Sequence, residues 1–309
     1  MLNGRENIEI ESRISSLTTS LTDLIQEDPR SMIWIGSGLS IGAGYPSWQT
    51  AIERLCAACI PEKFDLPPSL MVTEKLEWAE KCKTANPEMY FQILGELFGW
   101  YPTYTRTAYS HICACPFRYL VTTNFDPCLE AARGRSHGIM SYPKLLFDHG
   151  FRHMVVYLHG KALHGNDVDT RNLVFTSSDF EKAYTESLLP GLLDQLLIRN
   201  STLFVGCGLQ EPVLKRVFAR VAKLQADTSL SPRRKMILLC DRTSAADEQR
   251  ETDEFQRLGI GVLRYPLAYG IGPDGRSEPH RYLDQVWARV RTKVSEAIPP
   301  SFTESEMRL

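Results

Sequence analysis

Short apolar segments alternate with amphipathic segments along most of the chain. Between residues 8 and 27, apolar side chains recur at the spacing of one helix face, and Asp28-Pro29 ends that pattern. The next run, Ser31-Met32-Ile33-Trp34-Ile35, is short and apolar and stops at a glycine. Such a run is typical of a buried parallel strand that leads into a loop.

The same alternation continues to the C-terminal part of the chain. Further strands are predicted at 118–122, 154–158, 172–176, 201–205, 235–240 and 261–265. Helices are predicted at 48–58, 179–186, 188–198, 212–225, 245–258 and 280–297. Strands that alternate with helices predict an α/β fold with a doubly wound parallel sheet.

Residues 60–116 differ from the rest, because prolines separate segments with a helical pattern, such as 74–83 and 88–98. We interpret this region as a mostly helical insert that lies over the sheet rather than extending it. The length of 309 residues and the apolar content of 43% fit one large domain with a sizeable core. We therefore predict a single domain over residues 1–298, with the insert at about 60–116, and a disordered tail at 299–309.

Charge and targeting signals point to no special environment. The formal net charge is −2, so direct binding to nucleic acid or to an anionic membrane is not expected. The N-terminal region has no apolar core of the signal-peptide type, and no stretch approaches the roughly 20 apolar residues of a membrane span. These features predict a cytoplasmic protein.

Eight cysteines are spread along the chain. Cys56 and Cys59 form the one C-x-x-C pair, whereas a zinc ribbon needs two such pairs at suitable spacing. Cys113 and Cys115 are a second candidate pair, with different spacing. Buried thiols are the favoured interpretation, and no metal site is expected.

The loop after the first strand is rich in glycine and serine. It reads Gly36-Ser37-Gly38-Leu39-Ser40-Ile41-Gly42-Ala43-Gly44-Tyr45-Pro46. Glycines let the backbone approach a pyrophosphate closely, and unpaired N–H groups donate to it. The alternative is an ordinary tight turn between a strand and a helix.

Three more polar segments follow predicted strands. They are Thr122-Thr123-Asn124-Phe125-Asp126, His159-Gly160, and the glycine turn Gly206-Cys207-Gly208-Leu209-Gln210-Glu211-Pro212. In open α/β sheets, ligands bind at the carboxyl ends of the strands. A histidine there is suited to proton transfer near neutral pH. The alternatives are that Asn124 caps a helix, that Asp126 holds a turn, and that the last segment is a plain turn.

Taken together and in this order, the four segments resemble the motifs of the sirtuin superfamily. Sirtuins carry G-A-G-x-S-x-x-x-G-I-P-x-F, T-Q-N-I-D, H-G and G-T-S-L-x-V-x-P, and the fourth is one residue shorter here. The resemblance spans roughly residues 30–215. It implies a Rossmann-like, SIR2-like NAD-binding domain.

The resemblance also has a clear departure. Deacetylase sirtuins hold zinc with two C-x-x-C pairs after the H-G motif, but the next cysteine after His159 is Cys207. The segment Leu173-Val174-Phe175-Thr176-Ser177-Ser178-Asp179-Phe180 is instead similar to the SIR2-like proteins of bacterial antiphage defence. Several of those cleave NAD to nicotinamide and ADP-ribose, so the resemblance implies NAD as a substrate and no zinc.

The resemblance assigns roles to individual residues. It makes Asn124 the residue that orients the reactive ribose or water, Asp126 the partner of the nicotinamide amide, and His159 the group that takes a proton. It assigns binding of NAD to Gly36, Ser37, Gly38, Ser40, Gly44, Trp48, Thr123, Asp126, Gly206, Gly208 and Leu209. The resulting hypothesis is an NAD hydrolase that acts as the toxic effector of an abortive-infection system.

Two alternative functions stay open. One is an NAD-dependent protein deacylase or ADP-ribosyltransferase, which uses the same site with another acceptor. The other is a non-catalytic module that senses NAD or ADP-ribose, although binding alone needs neither Asn124 nor His159. Because an unregulated NAD hydrolase would kill its host, we expect control by homo-oligomer formation or by a separate sensor or regulatory protein.

Overall fold

The computed structural model describes residues 4–62, 65–103, 105, 107–133, 138–145, 154–162, 170–227, 233–268 and 279–297. The predicted tail at 299–309 lies outside these residues, and the predicted domain boundaries stay a prediction. The helices are α1 Gly4–Glu27, α2 Ser37–Ser40, α3 Trp48–Cys59, α4 Val72–Ala85, α5 Pro87–Phe98, α6 Thr107–Cys113, α7 Cys128–Arg133, α8 Ser177–Thr185, α9 Leu189–Arg199, α10 Pro212–Ala226, α11 Ala245–Arg257 and α12 Arg281–Ala297. The strands are β1 Met32–Ile35, β2 Tyr119–Thr122, β3 Ile139–Ser141, β4 Met154–Tyr157, β5 Thr202–Val205, β6 Lys235–Cys240 and β7 Gly261–Tyr265.

All strands pair in parallel in one sheet with the order β3-β4-β2-β1-β5-β6-β7. From β1 the chain builds one half of the sheet through β2, β3 and β4. It then crosses to β5 on the other side of β1 and continues outward. The order of strands therefore reverses next to β1, which is where doubly wound sheets bind ligands. The fold is a Rossmann-like α/β fold, as predicted.

The central strands bury both of their faces. In β1, Ile33 and Ile35 belong to one hydrophobic cluster, with residues of α1, α3, α5, α6 and α12. Met32 and Trp34 belong to a second cluster, with residues of α8, α9 and α10. Because successive side chains of a strand point to opposite faces, a continuous apolar run places helices on both sides. This double burial explains why the strands read as apolar runs without alternation.

The helical region after α3 lies over the first of these faces. Its helices α4 and α5 pack against α3, and α6 packs against α12. Within the described part of residues 60–116 there is no strand. Asn86 caps α5 by accepting from the Met89 backbone N–H at 3.2 Å, and Pro87 follows at the first helical position. Of the helices described, none is long and apolar enough to cross a membrane.

Two features of the sheet differ from the sequence prediction. Residues 172–176 form no strand, so the predicted strand there is wrong. Their backbone N–H groups are used elsewhere: Val174 donates to the carbonyl of His159 at 2.8 Å, and Thr176 donates to the Asp179 carboxylate at 3.0 Å. Side chains of this apolar segment line a cleft instead. The edge strand β3 was not predicted, because three residues are too few to show a pattern.

Candidate active site

A cleft lies at the carboxyl ends of β1, β2, β4 and β5, which are neighbours in the sheet. About 770 Å³ of space lies between its walls, part of it open to solvent. The structure brings most of the predicted site residues together around it: Gly36, Ser37, Ser40, Trp48, Thr123, Asn124, Asp126, His159, Gly206, Gly208 and Leu209. Four loops that are distant in sequence thus form one site.

The first and last of these loops lock together through glycine. The Gly38 backbone N–H donates to the carbonyl of Gly206 at 3.0 Å. A Cβ atom on Gly36 would lie 2.4 Å from that same carbonyl oxygen, a distance that real structures do not tolerate. Gly206 itself has φ +67 and lies against Leu39, so it too needs a glycine. The glycines therefore permit the two loops to approach each other closely beside the cleft.

The two predicted binding residues that do not line the cleft are Gly38 and Gly44. Gly38 faces the Gly206 backbone, so its role is to close the loop. Gly44 has φ +96 and ends the 3-10 turn Ile41–Ala43. Beyond it, the Tyr45 ring stacks on Trp100 with centroids 4.1 Å apart. Both glycines thus shape the loop that carries the lining residues.

Asn124 is held by a buried network of hydroxyl groups. Its side-chain Nδ2 donates to Ser40 Oγ at 3.0 Å, and Ser40 Oγ also contacts the Tyr109 hydroxyl at 2.8 Å. The Asn124 backbone N–H donates to Thr122 Oγ1 at 2.9 Å, and that hydroxyl donates to the Ile35 carbonyl at 2.8 Å. Asn124 is thus fixed both to the glycine-rich loop and to the central strands.

Asp126 lies at the floor of the same cleft and is almost fully buried. Burial raises the pKa of its carboxyl, while hydrogen bonds from Cys128 and Ser40 oppose that rise. The Cys128 backbone N–H donates to Asp126 Oδ1 at 3.0 Å. Asp126 therefore does hold a turn, the alternative considered from the sequence, and it lines the cleft as well.

His159 is enclosed by aromatic side chains of α8. Its Nε2 lies 2.8 Å from the Tyr184 hydroxyl, and its ring meets the Phe180 ring edge-on with centroids 4.9 Å apart. Burial lowers the pKa of His159 to about 3, so the imidazole is neutral at physiological pH. The next residue, Gly160, has φ +87, and a Cβ there would be 2.5 Å from the Asn172 carbonyl oxygen. This glycine lets the 172–176 segment pass directly behind His159.

Part of the cleft wall is aromatic. Phe98 from α5, Phe125 after β2 and Phe175 before α8 contact one another edge-on with centroids 5.3 to 6.4 Å apart. The ring centroid of Trp48, at the start of α3, lies 6.0 Å from that of Phe175. Such a wall suits a planar ring and excludes water from it. The helical region thus contributes directly to the site.

No lysine or arginine is among the described residues that line the cleft. Its polar side chains include the hydroxyls of Ser37, Ser40 and Thr123 and the groups of Asn124, His159, Asp126 and Glu211. An anionic ligand would therefore be bound by uncharged donors, such as these hydroxyls, rather than by formal positive charges.

Sequence reasoning did not select Tyr184, Glu211 or Tyr109. Tyr184 follows Phe180 by four residues, so the two share a helix face, and that spacing is the signal that could have found it. Glu211 lies inside the predicted site segment 206–212, from which only Gly206, Gly208 and Leu209 are selected as binding residues. Tyr109 comes from α6, which was not predicted, and only the fold brings it to Ser40.

The described residues contain no group of three or more His, Cys, Asp or Glu side chains that could hold a metal ion. All eight cysteines are free, and five of them are buried: Cys56, Cys59, Cys82, Cys115 and Cys128. The Sγ atoms of Cys56 and Cys82 lie 3.5 Å apart, so the contact shown for Cys56 is with α4 and not with Cys59, its partner in the C-x-x-C pair. These thiols behave as small apolar side chains of the core.

A family model matches part of the chain. Residues 118–263 match the family model described as a SIR2-like domain. This segment holds Asn124, Asp126, His159 and the Gly206 loop, so the match covers most of the candidate site. The matched segment, slightly less than half of the chain, is therefore similar to SIR2-like domains. No curated protein matches it.

Several solved Sir2 structures are also similar to this chain. A structure of a Sir2 homologue with NAD is 11% identical to this chain, with a TM-score of 0.45. The match covers 89% of this chain and 94% of the homologue's chain. A mutant Sir2 homologue with ADP-ribose is 12% identical, has a TM-score of 0.47, and covers 90% and 98%. A structure concerning the mechanism and regulation of Sir2 enzymes is 12% identical, has a TM-score of 0.42, and covers 91% and 99%.

Proposed function

We propose that this protein binds NAD⁺ in the cleft and hydrolyses its N-glycosidic bond. NAD⁺ and water become nicotinamide, ADP-ribose and a proton. The observation that carries this proposal is the convergence of Asn124, Asp126 and His159 on one cleft whose other side is made of two interlocked glycine loops. Loss of nicotinamide leaves an oxocarbenium-like ribose, so the site must hold the dinucleotide while admitting water.

The phosphates fit the loops that contain Gly36 and Gly206. NAD⁺ carries two negative charges on its pyrophosphate and one positive charge on nicotinamide. A cleft without lysine or arginine among its described lining residues does not repel that nicotinamide cation. Ser37, Ser40, Thr123, Gly208 and Leu209 complete the proposed set of binding residues, and Trp48 borders the aromatic wall.

The reactive end of NAD⁺ belongs near Asn124, Asp126 and His159. The Asp126 carboxyl would accept from the nicotinamide carboxamide. Asn124, anchored through Ser40, has an amide placed to orient the ribose or the attacking water. Neutral His159 has a lone pair on one ring nitrogen and can take the proton that water loses, directly or through a ribose hydroxyl. Each role uses a group that already lies on the cleft wall.

Hydrolysis is favoured over acyl transfer by the surroundings of His159. Phe180 and Tyr184 of α8 cover one side of its ring, and the 172–176 segment passes behind it. A deacylase must bring an acylated lysine to this ribose, whereas a hydrolase needs only space for water. A protein deacylase or ADP-ribosyltransferase is the second candidate, and a sensor of NAD or ADP-ribose is the third.

We extend the proposal to a biological role as the toxic effector of a bacterial antiphage system. The support is the resemblance of the Val174–Phe180 region to such proteins, together with the catalytic set on the cleft wall. Depletion of NAD⁺ would stop growth of the infected cell. Its control would come from homo-oligomer formation or from a partner protein that senses infection.

The test is incubation of the purified protein with NAD⁺ alone, with nicotinamide and ADP-ribose separated by chromatography. We expect steady formation of both products. His159→Ala should show less than a hundredth of that rate, because general base catalysis contributes about a hundredfold or more. Asn124→Ala should also abolish cleavage, because the ribose or the attacking water is no longer oriented. His111→Ala is the matched control, since His111 lies on α6 away from the cleft lining. Melting temperatures verify that each variant is folded.

Two further measurements separate the deacylase and the sensor from the hydrolase: cleavage of NAD⁺ in the presence of an acylated peptide, and binding of ADP-ribose by calorimetry. Product formation only with an acylated peptide would support the deacylase. Binding without any cleavage would support the sensor. Full activity in both Asn124→Ala and His159→Ala, or a wild-type protein that neither cleaves NAD⁺ nor binds ADP-ribose, would contradict the proposed site.

A further inference from the structure

The His159 ring has a polar partner that the proposed reaction does not use. Its Nε2 lies 2.8 Å from the hydroxyl of Tyr184, and His159 itself is only 3% exposed. Among the described residues, this nitrogen is the one hydrogen-bond partner of the Tyr184 hydroxyl, and Nδ1 of the ring has no partner. The ring lines the cleft, whereas Tyr184 does not, so Nδ1 is the nitrogen left to face a ligand.

Helix α8 holds Tyr184 in this position before any ligand arrives. The Tyr184 ring stacks on Phe180 with an interplanar angle of 6°, and both rings meet His159 edge-on. In the first turn of α8, the Asp179 carboxylate pairs with Lys83 of α4 at 2.6 Å, which ties the helix to its neighbour. The contact between Tyr184 and His159 is therefore a property of the folded protein.

The chemistry of the two groups decides which of them donates. Neutral imidazole has one N–H donor and one nitrogen lone pair, whereas a phenol has one O–H donor and acceptor lone pairs on oxygen. The imidazole nitrogen is the stronger base, and the phenol O–H is the more acidic donor, so donation from tyrosine to histidine pairs the better donor with the better acceptor. The opposite direction would leave the hydroxyl hydrogen of Tyr184 without an acceptor among the described residues, which is unfavourable for a partly buried donor.

Donation from Tyr184 settles which nitrogen of His159 carries the proton. The Nε2 lone pair accepts from the tyrosine, so the single imidazole proton is on Nδ1. Nδ1–H can donate to a ligand oxygen, but it cannot take a proton from water. In the other tautomer, with the proton on Nε2, the Nδ1 lone pair would face the cleft and could act as a base. The contact with Tyr184 therefore withholds the base that hydrolysis needs.

We propose that Tyr184 is a positioning residue that holds His159 in an inactive tautomer, and that NAD⁺ hydrolysis accelerates when this contact is lost. With the imidazole proton on Nε2, the bond from C1′ to nicotinamide breaks, the water oxygen bonds to C1′, and the water gives its proton to Nδ1. The imidazolium later releases one proton to solvent. A displacement of α8 relative to β4 breaks the contact, because Tyr184 belongs to α8 and His159 follows β4. The catalytic consequence rests on the proposed NAD hydrolysis, whereas the protonation of the ring does not.

The first experiment examines the free protein and needs no activity. Histidine labelled with ¹⁵N distinguishes protonated from unprotonated ring nitrogens by chemical shift, and His159→Ala assigns the signals of His159. We expect Nδ1 to be protonated and Nε2 unprotonated in the wild type, and Tyr184→Phe to move the population toward the Nε2–H form. Tyr142→Phe is the matched control, because Tyr142 packs against the same hydrophobic cluster as Tyr184 and is not among the described residues that line the cleft.

The second experiment measures NAD⁺ hydrolysis by the same variants. Tyr184→Phe should raise kcat by about two- to tenfold, because the net contribution of one hydrogen bond sets how strongly the inactive tautomer is favoured. KM for NAD⁺ should stay nearly unchanged, since Tyr184 does not line the cleft. Tyr142→Phe should hydrolyse NAD⁺ at the wild-type rate. Loss of a merely structural hydroxyl would lower stability without accelerating the reaction.

The two experiments fail in distinguishable ways. If neither the wild type nor Tyr184→Phe cleaves NAD⁺, the hydrolase is contradicted, while the nitrogen shifts still decide the protonation of His159. A protonated Nε2 in the wild type, or nitrogen shifts that Tyr184→Phe leaves unchanged, would overturn the proposal. Equal or slower hydrolysis by a folded Tyr184→Phe variant would overturn it as well, because Tyr184 would then not withhold the base. The wild-type shifts need no variant, so they decide the tautomer even if Tyr184→Phe does not fold.

Discussion

Replacement of Ser40 by alanine tests the network that holds the reactive end of the cleft. Ser40 is 1% exposed and lies between Asn124, which donates to it at 3.0 Å, and the Tyr109 hydroxyl at 2.8 Å. It also contributes a hydrogen bond that opposes the raised pKa of Asp126. The Ser40→Ala change removes one oxygen atom without creating a steric clash. Its effects therefore report the hydrogen bonds.

The size of the effect follows from which groups lose a partner. The Tyr109 side chain is fully buried, so loss of its Ser40 contact costs about 1–3 kcal/mol of stability. Asn124 borders the cleft, where water can replace Ser40, so its share is smaller. About 2 kcal/mol from Tyr109 and up to about 1 kcal/mol from Asn124 give a total of about 2–3 kcal/mol. Unfolding entropy of roughly 2.1 cal/mol/K per residue over 309 residues converts this to a fall in Tm of about 3–5 °C.

The effect on activity is a separate quantity. Two weakened contacts at the reactive end, worth about 2 kcal/mol together, correspond to a fall in kcat/KM for NAD⁺ of about 30-fold. Tyr109→Phe leaves Asn124 bonded to Ser40, so its activity should fall less. Ser20→Ala is the matched control, because Ser20 is exposed on α1 and its hydroxyl contacts only its own helix at 3.2 Å.

The assays are thermal unfolding and nicotinamide release, with ADP-ribose binding as a check on the site. If Ser40→Ala melts within 1 °C of the wild type and turns over NAD⁺ at the same rate, the expected loss of hydrogen-bond energy does not occur. The network would then not support the site. A lower Tm with unchanged turnover would make Ser40 purely structural. Either result would remove the argument that Asn124 is positioned through Ser40.

Two further predictions concern backbone space and pH. Gly36→Ala places a Cβ 2.4 Å from the Gly206 carbonyl oxygen, so it should abolish ADP-ribose binding and lower Tm. Gly191 is exposed on α9 and a Cβ there has nothing within 4 Å, so Gly191→Ala should raise the free energy of unfolding by about 0.5–1 kcal/mol. Equal melting temperatures of the two variants would contradict this. The pKa of His159 falls from 6.5 unfolded to about 3 folded, so the unfolded state binds the extra proton and stability is lost as pH falls through that window. His159→Gln should show a shallower loss in urea titrations between pH 6.5 and 3, and parallel curves would refute the assignment.

The sequence by itself determined where chemistry could occur. Each apolar run that ends in glycine, asparagine or histidine predicts a strand followed by a polar loop, and β1, β2, β4 and β5 all end this way. The hydrophobic pattern dictates this locally, because a strand buried on both faces needs continuous apolar residues and must release its backbone groups at the end. The glycine-rich loop, Asn124 and His159 could therefore be selected without a structure.

The same local logic misjudged residues 172–176. The segment is apolar and short, which is the pattern of a buried strand. In the fold its backbone bonds to His159 and Asp179, and its side chains Val174 and Phe175 line the cleft. A short segment that lines a cleft and a short strand buried in a sheet both need a run of apolar residues. Hydrophobic periodicity therefore cannot distinguish the two.

Only the tertiary structure decided which groups meet. The order of the strands depends on packing between helices distant in sequence, and it puts the loops after β1 and β5 in contact through Gly36 and Gly206. It also brings Tyr109 to Ser40 across 69 residues and Tyr184 to His159 across 25. The protonation of His159 depends on its burial, which is a property of the folded surroundings and not of the residue type. The sequence thus names the candidate reactive side chains, but the fold sets their partners and therefore the chemistry open to them.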